Sequence, residues 1–132
     1  MNDLPSHTLS EVRRLFSAYD EIGTVYLFGS RARGDQGALS DYDFAILTKA
    51  GKPVSATLHS ELVGKLMITL KTNDIDVTML RATQAPELLY RIISEGKILL
   101  DDEGERIAFE VDTLNQYFDF RTSLRLHGLT KS

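Results

Sequence analysis

The chain has 132 residues, of which 42% are hydrophobic and 26% are charged, a composition typical of a soluble globular protein. This length predicts a single domain spanning residues 1–132. The net charge of -4 disfavours a protein that grips long nucleic acid, but it permits a small nucleotide accompanied by metal ions. The absence of cysteine excludes disulfides and thiolate metal sites. No apolar run suits a membrane span or a secretory leader, so we expect a cytoplasmic protein without membrane or direct nucleic-acid contacts.

The spacing of apolar residues predicts alternating helices and strands along the chain. Thr8 to Glu11 has the pattern of a capping box at the start of the first helix, and Gly23 is expected to end that helical region. Pro86 and Gly96 are expected to flank the third long helix. The order indicates an α/β (α+β) fold, a small mixed sheet of about four strands flanked by helices. The predicted helices cover residues 8–19, 58–70, 86–95 and 102–123, and the predicted strands cover residues 24–28, 41–47, 75–80 and 97–100.

Asp41 and Asp43 are two carboxylates separated by one residue at the start of a predicted strand. Side chains two apart on a strand point to the same side and lie roughly 6.6 Å apart along it, so both can face one cavity. Two like charges side by side cost free energy unless a cation lies between them, and Mg²⁺ prefers carboxylate oxygens as ligands. On its own, the pair favours the polar side of a solvated strand or turn, because aspartates are common there. The Gly-Ser turn upstream reverses this preference in favour of a metal site.

A Gly29-Ser30 turn follows the first predicted strand and precedes the aspartate pair by ten residues. Gly29 lets the backbone turn sharply and approach a ligand, and Ser30 can present its hydroxyl, with the next amide groups, to phosphate oxygens. Arg31 and Arg33 are candidates for neutralising phosphate charge, with Arg33 preferred. For each arginine taken alone, a solvated loop or a salt bridge to Asp35 is at least as good an explanation. A short helical stretch and a glycine-rich loop are predicted after the turn.

Residues 29–34 (Gly-Ser-Arg-Ala-Arg-Gly) and 40–44 (Ser-Asp-Tyr-Asp-Phe) together resemble the signature of the DNA polymerase β-like nucleotidyltransferase superfamily. The resemblance is to its minimal (MNT) members in particular. It implies a nucleotidyltransferase fold, ATP as a substrate and two Mg²⁺ ions held by three carboxylates. The third carboxylate, on a neighbouring strand, would also be the base that activates the incoming hydroxyl. Asp76 matches that position, and Asp74, which has the same strand parity, is the alternative.

The resemblance also implies a role for each matching residue. Tyr42 and Phe44 stand where the family more often has aliphatic residues, and both are expected to face the core, away from the metal ions. Three carboxylates would hold the two Mg²⁺ ions, and three residues of the turn would hold the β- and γ-phosphates. These residues are Asp41, Asp43 and Asp76 for the metal ions and catalysis, and Gly29, Ser30 and Arg33 for the nucleotide.

Residues 88–97 and the acidic helix after them are similar to the C-terminal half of MntA-type antitoxins, which are encoded beside HEPN-domain (HepT) ribonuclease toxins. This similarity implies that the chain transfers AMP from ATP onto a tyrosine of the toxin and thereby silences it. A non-catalytic alternative is a binding module that neutralises the same partner by steric occlusion. Transfer to a small molecule such as an aminoglycoside fits the length less well, because it usually needs an additional substrate domain.

Features outside the motif are expected to be structural. The acidic residues of 101–105 suit the solvated start of a helix, where the helix dipole favours negative charge. Tyr90 and Arg91 are expected to lie on a helix packed against the sheet rather than in the nucleotide pocket. The aromatic residues of 117–120 are expected to contribute to packing. A docking surface for a partner helix is the alternative there, and an exposed apolar patch would favour it.

Overall fold

A computed structural model describes residues 4–28, 42–50, 52 and 55–127. Within these ranges the predicted order of helices and strands is confirmed, and a short 3₁₀ turn (Leu80–Ala82) follows the third strand. None of the described helices is long and apolar enough to cross a membrane. The helices are α1 (Ser6–Ser17), α2 (Ala56–Leu70), α3 (Pro86–Glu95) and α4 (Glu103–Leu126), and the strands are β1 (Ile22–Phe28), β2 (Tyr42–Thr48), β3 (Ile75–Met79) and β4 (Lys97–Leu100).

The described strands form one mixed sheet in the order β3-β2-β1-β4. β1 pairs antiparallel with both β2 and β4, whereas β2 and β3 run parallel. This arrangement confirms the predicted fold class. The prediction for Gly23 is wrong, because this residue lies within β1, where the register against β2 shifts between Ile22 and Thr24. Glycine inside a strand commonly marks such a bulge. β1 therefore includes Gly23, although the sequence pattern predicts a break there.

Hydrophobic layers cover both faces of the sheet. On one face, the first core joins Phe16 of α1 and Leu62 of α2 to Phe44 of β2. On the other face, the second core joins Leu47 of β2 to Leu89 of α3, with α4 packed beside them. Because side chains alternate along a strand, neighbouring residues of β2 contribute to different cores. The sheet is therefore buried on both sides through its middle.

The capping box predicted at Thr8–Glu11 is wrong. α1 begins at Ser6, directly after Pro5, and no side chain caps its first turn. The pattern therefore begins two residues inside the helix, and the N–H of Leu9 already donates to the backbone carbonyl of Pro5 at 2.8 Å. A side-chain cap is present on α2 instead, where the Ser55 hydroxyl accepts a hydrogen bond from the backbone N–H of Leu58 at 3.0 Å.

Pro86 begins α3 and Gly96 follows its end, as predicted. The reason for glycine is close packing rather than a left-handed backbone, since the φ angle of Gly96 is -71°. A β-carbon on Gly96 would lie 2.6 Å from the carbonyl oxygen of Ile92 and 3.2 Å from the β-carbon of Tyr26. The end of α3 therefore approaches β1 at a distance that only glycine permits.

Lys71 ends α2 in the left-handed conformation, with a φ of 57°. A β-carbon is strained in this region, and glycine is not. We expect Lys71→Gly to raise the free energy of unfolding by about 0.5–1 kcal/mol, the relief of strain being partly offset by the greater freedom of glycine in the unfolded chain. Urea unfolding midpoints measure the change. Lys71→Ala is the matched control, because it removes the same side chain and keeps the strain. Equal midpoints for the two variants would contradict the explanation.

A chain of charged and polar groups fastens α4 to the sheet. The hydroxyl of Tyr26, a β1 residue only 1% exposed, donates to Glu110 Oε2 at 2.6 Å. Arg106 donates to Glu110 Oε1 at 3.2 Å through Nη1 and to Asp101 Oδ1 at 2.7 Å through Nε. Burial, followed by the Glu110 carboxylate, raises the pKa of Tyr26 well above its usual value. The tyrosine is therefore a neutral donor that holds α4 at a fixed rotation.

We expect Tyr26→Phe to lower the free energy of unfolding by about 1–2 kcal/mol, because it removes a buried hydrogen bond to a charged acceptor. The folded-state pKa of Tyr26 is raised, so its contribution is fully present below the ordinary tyrosine pKa of about 10 and declines at higher pH. The gap between the variant and the wild type should therefore narrow above that pH. Tyr19→Phe is the control, since the Tyr19 hydroxyl donates to Glu61 at 2.9 Å on an exposed surface. If both variants lost the same unfolding free energy, burial would not be the reason for the effect of Tyr26→Phe.

Candidate active site

Two carboxylates lie side by side where β2 and β3 begin. In the parallel register of these strands, Asp43 is paired with Asp76. Neighbouring strands are about 4.8 Å apart, and paired residues of a parallel ladder point to the same face of the sheet. Asp43 is half-buried and Asp76, on the edge strand β3, is exposed. The two acids are thus close together and open to solvent on one side.

The alternation of buried residues explains why both acids share a face. Phe44 and Val77, the residues that follow them, are both buried in the first core. The acids therefore point to the opposite face, the side of the second core. Tyr42 packs against the first core and its ring stacks on Phe44, with 6.2 Å between the ring centroids. The expectation that Tyr42 and Phe44 face away from the acids agrees with these contacts.

Asp74, the alternative third carboxylate, lies before β3 rather than in it. Its backbone carbonyl accepts a hydrogen bond from the N–H of Tyr42 at 3.3 Å, and its own N–H donates to the Thr72 hydroxyl at 3.1 Å. The strand register brings Asp76, two residues later, level with Asp43. The geometry therefore favours Asp76 as the partner of Asp43, and its catalytic role stays a prediction.

The other predicted site residues, Gly29, Ser30, Arg33 and Asp41, lie outside the described residues. The helical stretch and the glycine-rich loop predicted between Ser30 and Asp41 also lie outside them. Chain connectivity still limits where this segment is attached. β1 ends at Phe28, which is paired with Asp43 on β2, and β2 starts at residue 42. Residues 29–41 therefore connect two strand ends that lie beside the acidic pair.

The chemistry of the acidic pair suits a hard divalent cation. Two carboxylates on adjacent strands offer oxygen ligands, and their mutual repulsion is relieved by a bound cation. Among the described residues, no group of three histidine, cysteine or acidic side chains lies close enough to hold a metal ion. Asp43 and Asp76 thus fit part of a magnesium site, and a further ligand has to come from elsewhere in the chain or from a nucleotide.

One contact near the site has no signal in the sequence. The Nε2 atom of His59, on α2, lies 2.9 Å from the backbone carbonyl oxygen of Val77, to which it donates a hydrogen bond. Val77 directly follows Asp76 on β3, and β3 is an edge strand of the sheet. His59 therefore tethers the strand that carries one of the two acids. A single histidine on a helix gives no indication of such a tether.

The aromatic residues outside the motif pack between helices. Tyr90 of α3 stacks on Tyr117 of α4, with ring centroids 4.0 Å apart and planes inclined by 6°. Arg121 donates to the Tyr117 hydroxyl at 3.0 Å and lies over its ring. The packing expected for Tyr90 and Tyr117 is thus observed. Phe118 differs, because 56% of it is exposed.

Comparison with known proteins identifies relatives of the same fold. The family model described as "Polymerase beta, Nucleotidyltransferase" matches residues 10–105. The protein adenylyltransferase MntA of Aphanizomenon flos-aquae is 27% identical, over 74% of this chain and 72% of that protein. A crystal structure of a toxin–antitoxin complex with AMP-PNP contains a chain that is 25% identical, with a TM-score of 0.73 over 93% of this chain and 94% of that one.

A second solved structure has the same fold at lower sequence identity. It holds the tri-AMPylated HEPN toxin of Shewanella oneidensis in complex with its MNT antitoxin. The matched chain is 22% identical, with a TM-score of 0.72 over 96% of this chain and 94% of that chain. The similarity extends over nearly the whole chain, including α4, of which the family model covers only the first three residues.

Proposed function

Because the chain belongs to the polymerase β nucleotidyltransferase family, we propose that it is an antitoxin that transfers AMP from ATP to a tyrosine of a HEPN-domain ribonuclease toxin in the cytoplasm. The observation that carries the proposal is the register pairing of Asp43 with Asp76 in a chain similar to protein adenylyltransferase MntA. The similar toxin–antitoxin structures, one with AMP-PNP and one with an AMPylated toxin, support the nucleotide and the acceptor.

In the proposed reaction, the tyrosine oxygen of the toxin attacks the α-phosphorus of ATP. A new oxygen–phosphorus bond forms, the bond to the bridging oxygen breaks and pyrophosphate leaves. Asp76 accepts the tyrosine proton, since it is the exposed acid on the edge strand and is open to an incoming acceptor. The backbone of Asp43 is paired with β1 on one side and β3 on the other, so the base of its side chain is held in a fixed position. The protein thus contributes mainly orientation and one proton acceptor.

Asp41, Asp43 and Asp76 would hold two Mg²⁺ ions. When bound, such ions reduce the negative charge on the attacking and leaving oxygens and align them for in-line displacement. Gly29 and Ser30 are proposed to bind the β- and γ-phosphates, with help from Arg33. The support for this assignment is the attachment of the segment to β1 beside Asp43, together with the family motif.

Labelling with two forms of ATP tests the proposed reaction. The purified chain is incubated with Mg²⁺ and the toxin encoded by the neighbouring gene, using ATP labelled at either the α- or the γ-phosphate. AMP transfer predicts that the toxin acquires the α-label and never the γ-label, and that peptide mass spectrometry finds the modification on tyrosine. Incorporation of the γ-label would indicate a kinase. Absence of both labels, with the toxin still inhibited, would favour steric occlusion instead.

A further inference from the structure

The outward side of α4 carries a row of apolar side chains. Ile107, Val111 and Phe118 are 48%, 52% and 56% exposed, although all three are large and hydrophobic. Leu114, between them, is partly exposed. Their spacing of four, three and four residues places them in one straight line along the helix. We call these four residues the α4 row.

The α4 row points away from the body of the protein. Thr113, the fully buried residue of α4, is only 2% exposed and marks the packed side of the helix. At about 100° per residue, it lies about 130° around the helix from the middle of the row. Phe109 and Tyr117, which pack against the second core and α3, lie on the packed side as well. Nothing in the described part of the chain covers the row.

The size and shape of the row suit another helix. Its four side chains expose roughly 300 Å² of apolar surface, which is comparable to the largest apolar patch on a typical monomeric protein. Patches of this size are often binding sites. The spacing is that of a helix–helix seam, in which side chains of one helix fit between those of the other.

The charges at the two ends of α4 have opposite sign. Asp101, Asp102 and Glu103 lie at its start, and Arg121 and Arg125 lie in its last turns. Two such helices side by side in the same direction would bring like charges together. In opposite directions, the acidic end of each helix would lie beside the basic end of the other, and the helix dipoles would also be opposed.

We propose that α4 pairs in antiparallel orientation with the α4 of a second copy of this chain. A two-fold axis between residues 112 and 113 places Ile107 opposite Phe118 and Val111 opposite Leu114, so that each large side chain meets one from the other copy. The same patch serves both copies, as two-fold symmetry requires. Because the row offers roughly 300 Å² per copy rather than the about 800 Å² of a standard interface, the dimer is weak, with a dissociation constant in the micromolar range.

Sedimentation velocity of the purified chain, without toxin or nucleotide, tests the pairing over roughly 1 to 200 µM. We expect a concentration-dependent monomer–dimer equilibrium, and a dissociation constant at least about tenfold higher for Val111→Lys and Phe118→Lys, since each buries a charge in the seam. Ser123→Lys is the matched control, because Ser123 is exposed on the far side of α4. A chain that stays monomeric, or a dimer that tolerates both lysines, would overturn the proposal.

Cysteine cross-linking tests the orientation, because the chain has no cysteine of its own. Antiparallel pairing predicts a disulfide in a mixture of Ile107→Cys and Phe118→Cys proteins. Ile107→Cys alone should not cross-link, since the two copies of residue 107 would be about 16 Å apart along the helix axis. Cross-linking of Ile107→Cys alone would exclude this orientation. If the chain is monomeric and the row variants no longer bind the toxin, the α4 row is the toxin-binding surface and the proposal is overturned. Neither measurement depends on AMP transfer.

Discussion

Asp43→Asn is expected to lower the rate of AMP transfer to the toxin by at least about 100-fold, because it removes the charge of a proposed metal ligand without changing the shape of the side chain. Asp43 lies between Phe28 of β1 and Asp76 of β3 in the sheet, so no other described acid occupies its position. The decrease is measured as the initial rate at which the toxin is labelled from α-labelled ATP, over a series of Mg²⁺ concentrations.

Asp43→Glu is the matched control for charge, since it keeps the carboxylate but shifts it by one methylene. We expect it to lose activity as well, because the position of the carboxylate on the sheet is fixed. Far-ultraviolet circular dichroism and urea unfolding should show that both variants remain folded. Full activity of a folded Asp43→Asn protein would show that this acid is not part of the site.

Asp76→Asn is expected to lower the transfer rate by about 100- to 10,000-fold, the range typical for loss of a general base. The loss should lie in kcat rather than in the KM for ATP, because the proposed proton transfer concerns the acceptor hydroxyl. Asp76 pairs with Asp43 across the parallel strands. Rates measured over a series of ATP concentrations at saturating toxin separate kcat from the KM for ATP.

Asp74→Asn is the natural comparison, since Asp74 lies two residues earlier and contributes its backbone to the hydrogen bond with Tyr42. We expect its rate to stay within about twofold of the wild type, as for a surface substitution. If Asp74→Asn were the inactive variant and Asp76→Asn the active one, the assignment from strand register would be wrong.

Local patterns in the sequence were sufficient to predict the order of helices and strands. They also predict on which face of its strand each acid lies. The alternation around Phe44 and Val77 places Asp43 and Asp76 away from the first core. The pairing of these two acids was not available from the residues alone. Register between parallel strands is set by packing between distant segments, so only the family resemblance indicated Asp76.

The predictions that proved wrong concern residues whose local preference is overridden by packing with distant parts of the chain. The capping pattern at Thr8–Glu11 lies within α1, and Gly23 lies in a bulge of β1 rather than at a break. For α4, the apolar residues gave the correct helical period but not the side that meets the sheet. The bond from Tyr26 to Glu110 and the burial of Thr113 fix that rotation and leave the α4 row exposed. Such long-range contacts have no local sequence signature.

The intact mass of the toxin, purified from cells that also express this chain, shows directly whether AMP transfer neutralises it. With the wild-type chain, AMP transfer predicts a toxin that is heavier by one or more AMP units, all on tyrosine. With a chain carrying both Asp43→Asn and Asp76→Asn, it predicts an unmodified and active toxin. An unmodified toxin that the wild-type chain nevertheless silences would contradict AMP transfer as the means of neutralisation.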